Sequence, residues 1–295
     1  MSFFPTTILL ATDGSPDSRL AMVAAADLAG RTGSKLHLIH VERPKRLATH
    51  PFGVDAGFEG AEESSWELLL GEAREVERCG APVADIHFVE GRPSQEIVKL
   101  ALELSAGLVA MGSRGLGRLQ RLVLGSVSEG VVQRAPCPVL VMRGGEAAWP
   151  PRWVVVGEDF SPEAERAAEI ACELAKLYSV SATLLWTYPP PPGDEAGMPP
   201  AREELLRLAL QHLNDRAFDL QGVAGRRPEI RLEAGDAAEV LVRASEELSG
   251  RALIAVGRRG LDAAQPPDLG STSIKVLHAA PGPVLICPSK EAPQP

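Results

Sequence analysis

The chain is organised around a glycine-rich segment, Met111-Gly112-Ser113-Arg114-Gly115, which is followed after nine residues by Gly125-Ser126. An apolar run at residues 108–111 leads into it and predicts a buried strand, and a helical pattern follows it to Ala135. Glycines at a strand end let backbone amides approach an anion closely. A helix that begins at Gly125-Ser126 directs unpaired N–H groups and its positive dipole end to the same place. The stretch therefore predicts an anion cradle, for which a triphosphate is the natural candidate.

The same pattern recurs at an offset of 145 residues. Gly257, Gly260 and Gly270-Ser271 keep the spacing G-x-x-G-x9-G-S behind an apolar run at residues 253–256. Neither copy is a P-loop, because no Gly-Lys-Ser/Thr follows that would place a lysine near the outer phosphates. We call residues 112–126 the first glycine loop and residues 257–271 the second glycine loop.

Composition narrows the class of protein and its partners. A chain of 295 residues favours about two domains of ~150 residues each. The net charge of −9 argues against non-specific binding to nucleic acid, although a local pocket for a nucleotide is still compatible with it. The four cysteines are scattered without a C-x-x-C, as is typical of reduced thiols. There is no signal-peptide pattern and no apolar run of membrane-spanning length. We expect a cytoplasmic protein without a nucleic-acid or membrane partner.

The first half of the chain predicts alternating strands and helices. Ser15-Pro16 predicts a helix start with a serine N-cap and a proline in the first turn. A long, weakly patterned segment, residues 42 to about 60, is expected to be a lid or a mobile loop. The predicted strands are residues 7–11, 35–41, 85–89, 108–111 and 138–142. The predicted helices are residues 16–31, 66–77, a segment capped by Ser94 and ending near Leu104, and 126–135.

After a linker at residues 144–151, the series starts again. Asp159-Phe160-Ser161-Pro162 repeats Asp13-Gly14-Ser15-Pro16 at an offset of 146, and Gly235 repeats Gly91 at an offset of 144. A proline-rich loop at residues 188–200 replaces the first long loop. The predicted strands are residues 153–156, 182–187, 229–233, 253–256 and 283–286, with a helix at residues 202–218. Such constant offsets indicate a duplicated domain, with copies at residues 1–145 and 152–290.

The order of elements predicts the fold class. Alternating strands and helices give an α/β fold, here two tandem doubly wound domains, each a five-stranded parallel sheet with helices on both faces. Ligands of such sheets bind beyond the carboxyl ends of the strands, near the point where the strand order switches. Both Asp-x-Ser turns and both glycine loops follow strands, so we expect all four at that edge.

These residues resemble the universal stress protein family in its tandem, two-domain form. The resemblance rests on Asp13-Gly14-Ser15, on Gly91-Arg92-Pro93, on the first glycine loop and on Cys137-Pro138-Val139-Leu140-Val141. It implies an adenine nucleotide alpha hydrolase-like fold and an ATP-binding (or ADP-binding) protein, with magnesium on the phosphates. It also implies a nucleotide-dependent regulatory or interaction protein of the stress response without strong catalytic activity. Pairing through the last strands would make the two halves an intrachain pseudo-dimer, and a homodimer is also open.

The resemblance also implies which residues bind the nucleotide. In the nucleotide-binding branch of the family, the aspartate after the first strand and the end of the second strand contact adenosine, while the glycine loop holds ribose and phosphates. The implied positions in the first half are Thr12, Asp13, Val41, Met111, Gly112, Arg114, Gly115, Gly125, Ser126 and Val127. Those in the second half are Asp159, Thr187, Val256, Gly257, Gly260, Gly270, Ser271 and Thr272. No metal ligand is indicated.

The two loops differ in charge. The first carries Arg114, Arg118 and Arg121 and no acid, a sum of +3. The second carries two arginines but also Asp262 and Asp268, a sum of zero, and Pro266-Pro267 removes two backbone donors. We therefore expect the first site to bind nucleotide more tightly.

Simpler interpretations stand beside these. Glycine-rich turns can merely join a strand to a helix, Asp13 can be only a turn former, and Ser126 with Glu129 forms an S-x-x-E capping box. His37 and His40 lack acidic or thiol neighbours at ligand spacing and are taken as structural. A slow Mg-dependent ATPase and an interaction module that binds no nucleotide are the alternative functions. The first glycine loop holds no evident carboxylate pair or base for phosphoryl transfer, so at most slow hydrolysis is expected.

Overall fold

The computed structural model describes residues 5–44, 59–115, 124–145, 148–190, 200–248, 251–260 and 269–289, and only the backbone of residues 59–65. The chain divides into two compact units, which we call the first domain, Pro5–Met142, and the second domain, from Arg143 onward. Both consist of parallel strands that alternate with helices.

The first domain has the five parallel strands that the sequence predicts. They follow the order β3-β2-β1-β4-β5. The order therefore reverses between β1 and β4, which makes the carboxyl ends of these two strands the expected ligand edge. The strands are β1 (Thr7–Ala11), β2 (Lys35–Glu42), β3 (Val83–Glu90), β4 (Leu108–Gly112) and β5 (Val139–Met142).

Four helices connect these strands. They are α1 (Pro16–Thr32), α2 (Glu59–Arg78), α3 (Pro93–Glu103) and α4 (Ser126–Arg134). Helix α1 begins as predicted, since the side chain of Ser15 accepts a hydrogen bond from the N–H of Ser18. The predicted start of α2 is wrong, because the helix takes up the end of the expected long loop, where alanine and glutamates favour a helix. The remainder of that loop, residues 45–58, lies outside the described residues.

The predicted cap of α3 is also wrong. The helix begins at Pro93, and Arg92 stands at the N-cap without a side-chain cap hydrogen bond. Proline favours the first helical position because its fixed φ suits the helix and its missing N–H would be unpaired there anyway. Ser94 lies inside the first turn, where its hydroxyl accepts a hydrogen bond from Arg134 at 3.0 Å.

The second domain repeats the first. Its strands follow the order β10-β9-β6-β7-β8, which read from β8 is the order of the first domain. The strands are β6 (Trp153–Gly157), β7 (Ser181–Tyr188), β8 (Glu229–Ala234), β9 (Ala252–Gly257) and β10 (Val284–Cys287). The helices are α5 (Pro162–Tyr178), α6 (Pro200–Asp219), α7 (Gln221–Ala224), α8 (Ala237–Glu247) and α9 (Ser271–Ala279). The duplication inferred from the sequence is therefore confirmed, while most of the proline-rich loop, residues 191–199, lies outside the described residues.

The predicted linker between the two copies, residues 144–151, is partly buried. Ala148 and Trp149 are buried, and the Trp149 ring meets the edge of Tyr178 at a centroid distance of 5.4 Å. Proline and glycine content suggests an exposed linker, but a tryptophan gains more by burying its large apolar surface. The end of the segment thus belongs to the core of the second domain.

Candidate functional site

The site begins where β1 ends. Oδ1 of Asp13 accepts a hydrogen bond from the N–H of Ser15 at 3.1 Å, so the role of Asp13 as a turn former is confirmed. Its other oxygen faces the first glycine loop so closely that a Cβ atom added to Gly115 would collide with it. The carboxyl ends of β1 and β4 thus bring Asp13 to the loop, as the topology predicts.

Gly112 is explained by packing. A Cβ atom there would lie 2.6 Å from the backbone of both Asp17 and Ser18, in the first turn of α1. Because glycine has no Cβ atom, the first turn of α1 can approach the end of β4 closely. This residue is therefore required by the fold whether or not a ligand approaches it.

Helix α4 begins at the opposite side of the loop. Gly125 is the N-cap, without a side-chain cap, and its N–H donates to the carbonyl of Ser113 at 2.9 Å. Ser126 is exposed at the first helical position, so the capping box of Ser126 and Glu129 is wrong by one residue. The N–H groups of this first turn have no acceptor within the helix, and the positive end of the helix dipole lies there.

Ser128 fixes the start of α4 to the end of β4. Its buried hydroxyl donates to the carbonyls of Gly112 and Ser113, at 2.9 and 3.2 Å. In the second domain Ser273 donates in the same way to the carbonyl of Gly257 at 2.7 Å. Neither serine was singled out from the sequence, although the repeated S-x-S at the two helix starts was a signal for them.

Asp17 is a second residue that the sequence did not reveal. Its Oδ2 accepts a hydrogen bond from Ser113 at 2.6 Å and pairs with Nε of Arg114 at 3.2 Å. The local charge of +3 assigned to the first loop therefore omitted an acid that α1 supplies. Arg118 and Arg121 lie outside the described residues.

Thr12 lies behind Asp13 and is buried. Its hydroxyl donates to Oγ of Ser18 at 3.2 Å and accepts from the N–H of Gly14 at 3.3 Å. Near it, burial raises the pKa of Glu72, a residue of α2 whose carboxylate oxygens have no hydrogen-bond partner among the described residues. The Thr12 side chain thus serves the local structure, and Glu72 is a carboxylate close to the predicted site that the sequence did not indicate.

The remaining predicted positions differ in exposure. Val41 and Thr187 are half-buried near the ends of β2 and β7. Met111 and Val256 are buried in β4 and β9, so their side chains belong to the core. Val127 and Thr272 are half-buried in the first turns of α4 and α9, next to the exposed Ser126 and Ser271.

The second domain repeats the central geometry. Oδ1 of Asp159 accepts from the N–H of Ser161 at 3.0 Å, and a Cβ atom on Gly260 would collide with the other oxygen. A Cβ atom on Gly257 would lie 2.7 Å from Cβ of Glu163. Gly270 is the N-cap of α9, as Gly125 is of α4.

The two domains differ behind this shared geometry. Glu158 stands in the position of Thr12, and burial raises its pKa to about 7, although the N–H of Phe160 and the charge of Arg216 oppose that shift. Arg258 replaces Ser113 and is buried, which lowers its pKa. Residues 261–268, with Asp262, Asp268 and Pro266-Pro267, lie outside the described residues.

One sequence interpretation outside this edge is wrong. His37 was taken to lack ligand-spaced acidic neighbours, but β3 brings Asp85 and His87 beside it. This group could not be seen along the chain because it depends on the pairing of two strands.

Comparison with known proteins identifies the family. The Universal stress protein family matches residues 5–143 and again residues 152–288. The chain belongs to this family. A putative universal stress protein of Staphylococcus haemolyticus is 35% identical over 158 residues, 53% of this chain and 90% of that protein. A universal stress protein of Thermus aquaticus is 38% identical over 138 residues, 46% of this chain and 98% of that protein.

A solved structure matches the tandem arrangement. A universal stress protein from Archaeoglobus fulgidus is 26% identical, superposes with a TM-score of 0.69 and is aligned over 97% of both chains. The two relatives named above match about half of this universal stress protein, whereas this structure matches nearly all of it. Within the described residues, no helix is long and apolar enough to cross a membrane.

Proposed function

We propose that this universal stress protein binds an adenine nucleotide, ATP or ADP with magnesium, and acts as a nucleotide-dependent regulatory or interaction protein in the stress response. One observation carries the proposal. The carboxylate of Asp13 lies against Gly115 of the first glycine loop, and the first turn of α4 begins at the other end of that loop. The repetition of this arrangement with Asp159, the second glycine loop and α9 supports the proposal. A helix N-terminus is suited to phosphate, and the acceptor oxygens of a carboxylate are suited to the donor hydroxyls of a sugar.

The charges of the site indicate which part of it would hold the adenosine and which part the phosphates. A carboxylate repels phosphate, so Asp13 belongs on the adenosine side, with Val41 at the end of β2. The phosphates belong at the start of α4, where the backbone N–H groups of Ser126 and Val127 and the exposed hydroxyl of Ser126 are available. Magnesium would sit on the phosphates and keep several of its waters, since this ion dehydrates reluctantly.

A titration of the purified chain with Mg-ATP tests the proposal. Charge-assisted hydrogen bonds contribute about 1.5–3 kcal/mol each. A few of them, with burial of adenine, give roughly −8 kcal/mol, a micromolar dissociation constant. We expect calorimetry to show at least one nucleotide per chain. Absence of saturation up to millimolar Mg-ATP would refute the proposal, and a turnover assay on the same sample distinguishes binding from slow hydrolysis.

One observation favours a second candidate, an interaction module that binds no nucleotide. Packing alone accounts for Gly112 and Gly257, because a Cβ atom at either would meet the first turn of α1 or α5. A substitution at Gly125 distinguishes the two candidate functions. Substitution by valine crowds the carbonyl of Ser113, which a Cβ would approach to 3.2 Å. The nucleotide proposal requires that this variant remain folded and lose binding, whereas an interaction module has no binding to lose.

The proposal includes a place and an assembly. We propose a cytoplasmic location, which the four free cysteines support, since oxidising compartments favour disulfides. We also propose that the two domains pair as an intrachain pseudo-dimer, because β5 and β10 stand last in the strand orders of their domains and are apolar, and a lone domain with such an edge would tend to associate. Residues 1–145 expressed alone should then self-associate in sedimentation experiments, and a stable monomer at high concentration would contradict the pairing.

A further inference from the structure

A group of three ligating side chains lies on the edge of the first domain. His37 on β2 and Asp85 and His87 on β3 each offer an atom that can bind a metal ion, and these atoms lie within 4.8 Å of one another. The proposed nucleotide site does not use them.

An irregularity in strand pairing brings the three together. Leu36 pairs with Val83, but His37 pairs with Asp85, so Ala84 is an extra residue on β3. If the register of Leu36 with Val83 continued unshifted, His37 would pair with Ala84, and Asp85 and His87 would point to the other face, because side chains alternate along a strand. Bulges of this kind commonly re-aim a side chain.

The distances suit a single small ion. Nδ1 of His37 lies 3.1 Å from Nε2 of His87, which lies 3.8 Å from Oδ2 of Asp85. Ligand atoms on one tetrahedral zinc ion, at bonds of about 2.0–2.2 Å, are separated by about 3.3 Å. The His37 and His87 rings have centroids 5.4 Å apart, and the two nitrogens point at each other. Both rings must therefore tilt before their nitrogen lone pairs can point at one ion.

The surroundings support binding. The side chain of Asp85 is 64% exposed, which gives an ion access from solvent. Its Oδ1 accepts the N–H of Ile86 at 2.8 Å, an outer contact that orients the carboxylate. Lys35 opposes a cation, because its positive charge acts on the imidazole of His37.

The second domain provides an internal comparison. Its strand pairing places Thr183 beside Glu229, the positions of His37 and Asp85. Arg231, in the position of His87, forms ion pairs with Glu233 and Glu247. A cation therefore has no equivalent pair of imidazoles there, and the group belongs to the first domain alone.

We propose that His37, Asp85 and His87 form a binding site for a divalent transition-metal ion of the zinc type, with water in the fourth position. Two imidazoles and one carboxylate are a donor set that zinc accepts, and three protein ligands leave one position open. The ion would join β2 to β3, the outermost strand of the first-domain order. In the metal-free protein, a hydrogen bond between His37 and His87 joins the two strands instead of the ion. This inference does not depend on the proposed nucleotide binding.

The test is a zinc titration of the full-length, tag-free and metal-free chain. We expect one zinc ion per chain by calorimetry and a raised thermal midpoint, because a ligand that binds the native state stabilises it. Even loss of an outer partner costs about 10–100-fold in metal affinity, so His37→Asn and His87→Asn should each weaken binding by about tenfold or more. Lys35→Gln should tighten binding by about threefold to fivefold, since it removes a nearby positive charge.

The matched control is His278→Asn, which removes a histidine of α9 and should leave zinc affinity unchanged. Circular dichroism of each metal-free variant checks that it is folded. The tightening by Lys35→Gln keeps the test decisive if a histidine variant fails to fold. No saturable binding up to about millimolar zinc, far weaker than the binding of specific zinc sites, would overturn the proposal. Equal affinity in wild type, His37→Asn and His87→Asn would also overturn it.

Discussion

Oδ2 of Asp17 lies 3.2 Å from Nε of Arg114 and accepts the hydroxyl of Ser113 at 2.6 Å. The pair connects the first turn of α1 with the described start of the first glycine loop. It fixes Ser113 and Arg114 at that start and at the same time offsets one of the positive charges expected to attract phosphate. Arg114 therefore contributes less to anion binding than its sequence position suggests.

The first prediction is that Asp17→Asn tightens Mg-ATP binding. The substitution keeps the side-chain shape but removes a negative charge near the proposed phosphate position, an effect of about 1 kcal/mol or roughly fivefold in affinity. Calorimetry on the full chain measures it. Asp27→Asn is the control, because Asp27 forms a comparable pair with Arg31 at 2.8 Å elsewhere on α1. Weaker binding by Asp17→Asn would mean that its role in positioning Arg114 exceeds its charge.

The second prediction separates two serines in one helical turn. Ser128→Ala removes a buried hydroxyl that donates to Gly112, so it should destabilise the first domain by about 1 kcal/mol. Ser126→Ala removes an exposed hydroxyl and should leave stability unchanged while weakening nucleotide binding. Hydrogen exchange of the α4 amides measures the first effect, and Mg-ATP titration the second. Destabilisation by Ser126→Ala, equal to that by Ser128→Ala, would contradict this division of roles.

Local patterns predicted the strands well. Short runs bounded by glycine or proline, mostly apolar but mixed with polar residues in β3 and β8, marked the ten strands of the described residues, and the repeated offsets gave the duplication. The convergence of Asp13 with Gly115 also followed, since parallel strands carry both to one edge. Helix starts were less predictable: Ser94 looked like a cap, but Pro93 took the first helical position.

What the sequence could not predict depends on contacts between distant segments. Asp17 meets Arg114 only because α1 packs close to β4 at Gly112. His37 meets His87 only because an extra residue changes the pairing of β2 with β3. The comparison of loop charges stays a prediction, since most of the charged residues concerned lie in segments 116–123 and 261–268, outside the described residues.

The third prediction concerns pH and Glu158. Its native pKa is about 7, against an ordinary value of 4.5. The native state therefore holds a proton that the unfolded state releases between these values, so stability falls as pH rises from about 4.5 to 7 and then levels off. The full difference is about 3 kcal/mol, at roughly 1.4 kcal/mol per unit. Glu158→Gln should flatten this part of the profile.

Denaturant unfolding at several pH values measures the effect of Glu158→Gln. Glu203→Gln is the control, because Glu203 is an exposed acid in the first turn of α6 and is not among the groups that act on Glu158. Its profile should follow that of the wild type. An unchanged slope between pH 5 and 7 in Glu158→Gln would show that Glu158 is ionised in the native protein.

The last prediction is that the first site binds nucleotide more tightly than the second. Both sites have the helix start and the glycine spacing, so their backbone donors are similar. The second site has an additional acid in Glu158, whose charge repels phosphate once it ionises, so the difference should grow above pH 7. The loop sequences add to this difference, although Asp17 reduces the contribution of Arg114. We expect about tenfold or more, since each nearby charge changes affinity by about 1 kcal/mol at an intermediate dielectric.

Gly125→Val and Gly270→Val test this order as a matched pair. A Cβ atom would lie 3.2 Å from the carbonyl of Ser113 in one and 3.3 Å from that of Arg258 in the other, so valine crowds the two helix starts equally. Gly270→Val should keep the high-affinity nucleotide, and Gly125→Val should lose it, with thermal unfolding as the check of folding. If Gly125→Val keeps tight binding while Gly270→Val loses it, the second site is the stronger one, and the extra acid at Glu158 does not control affinity.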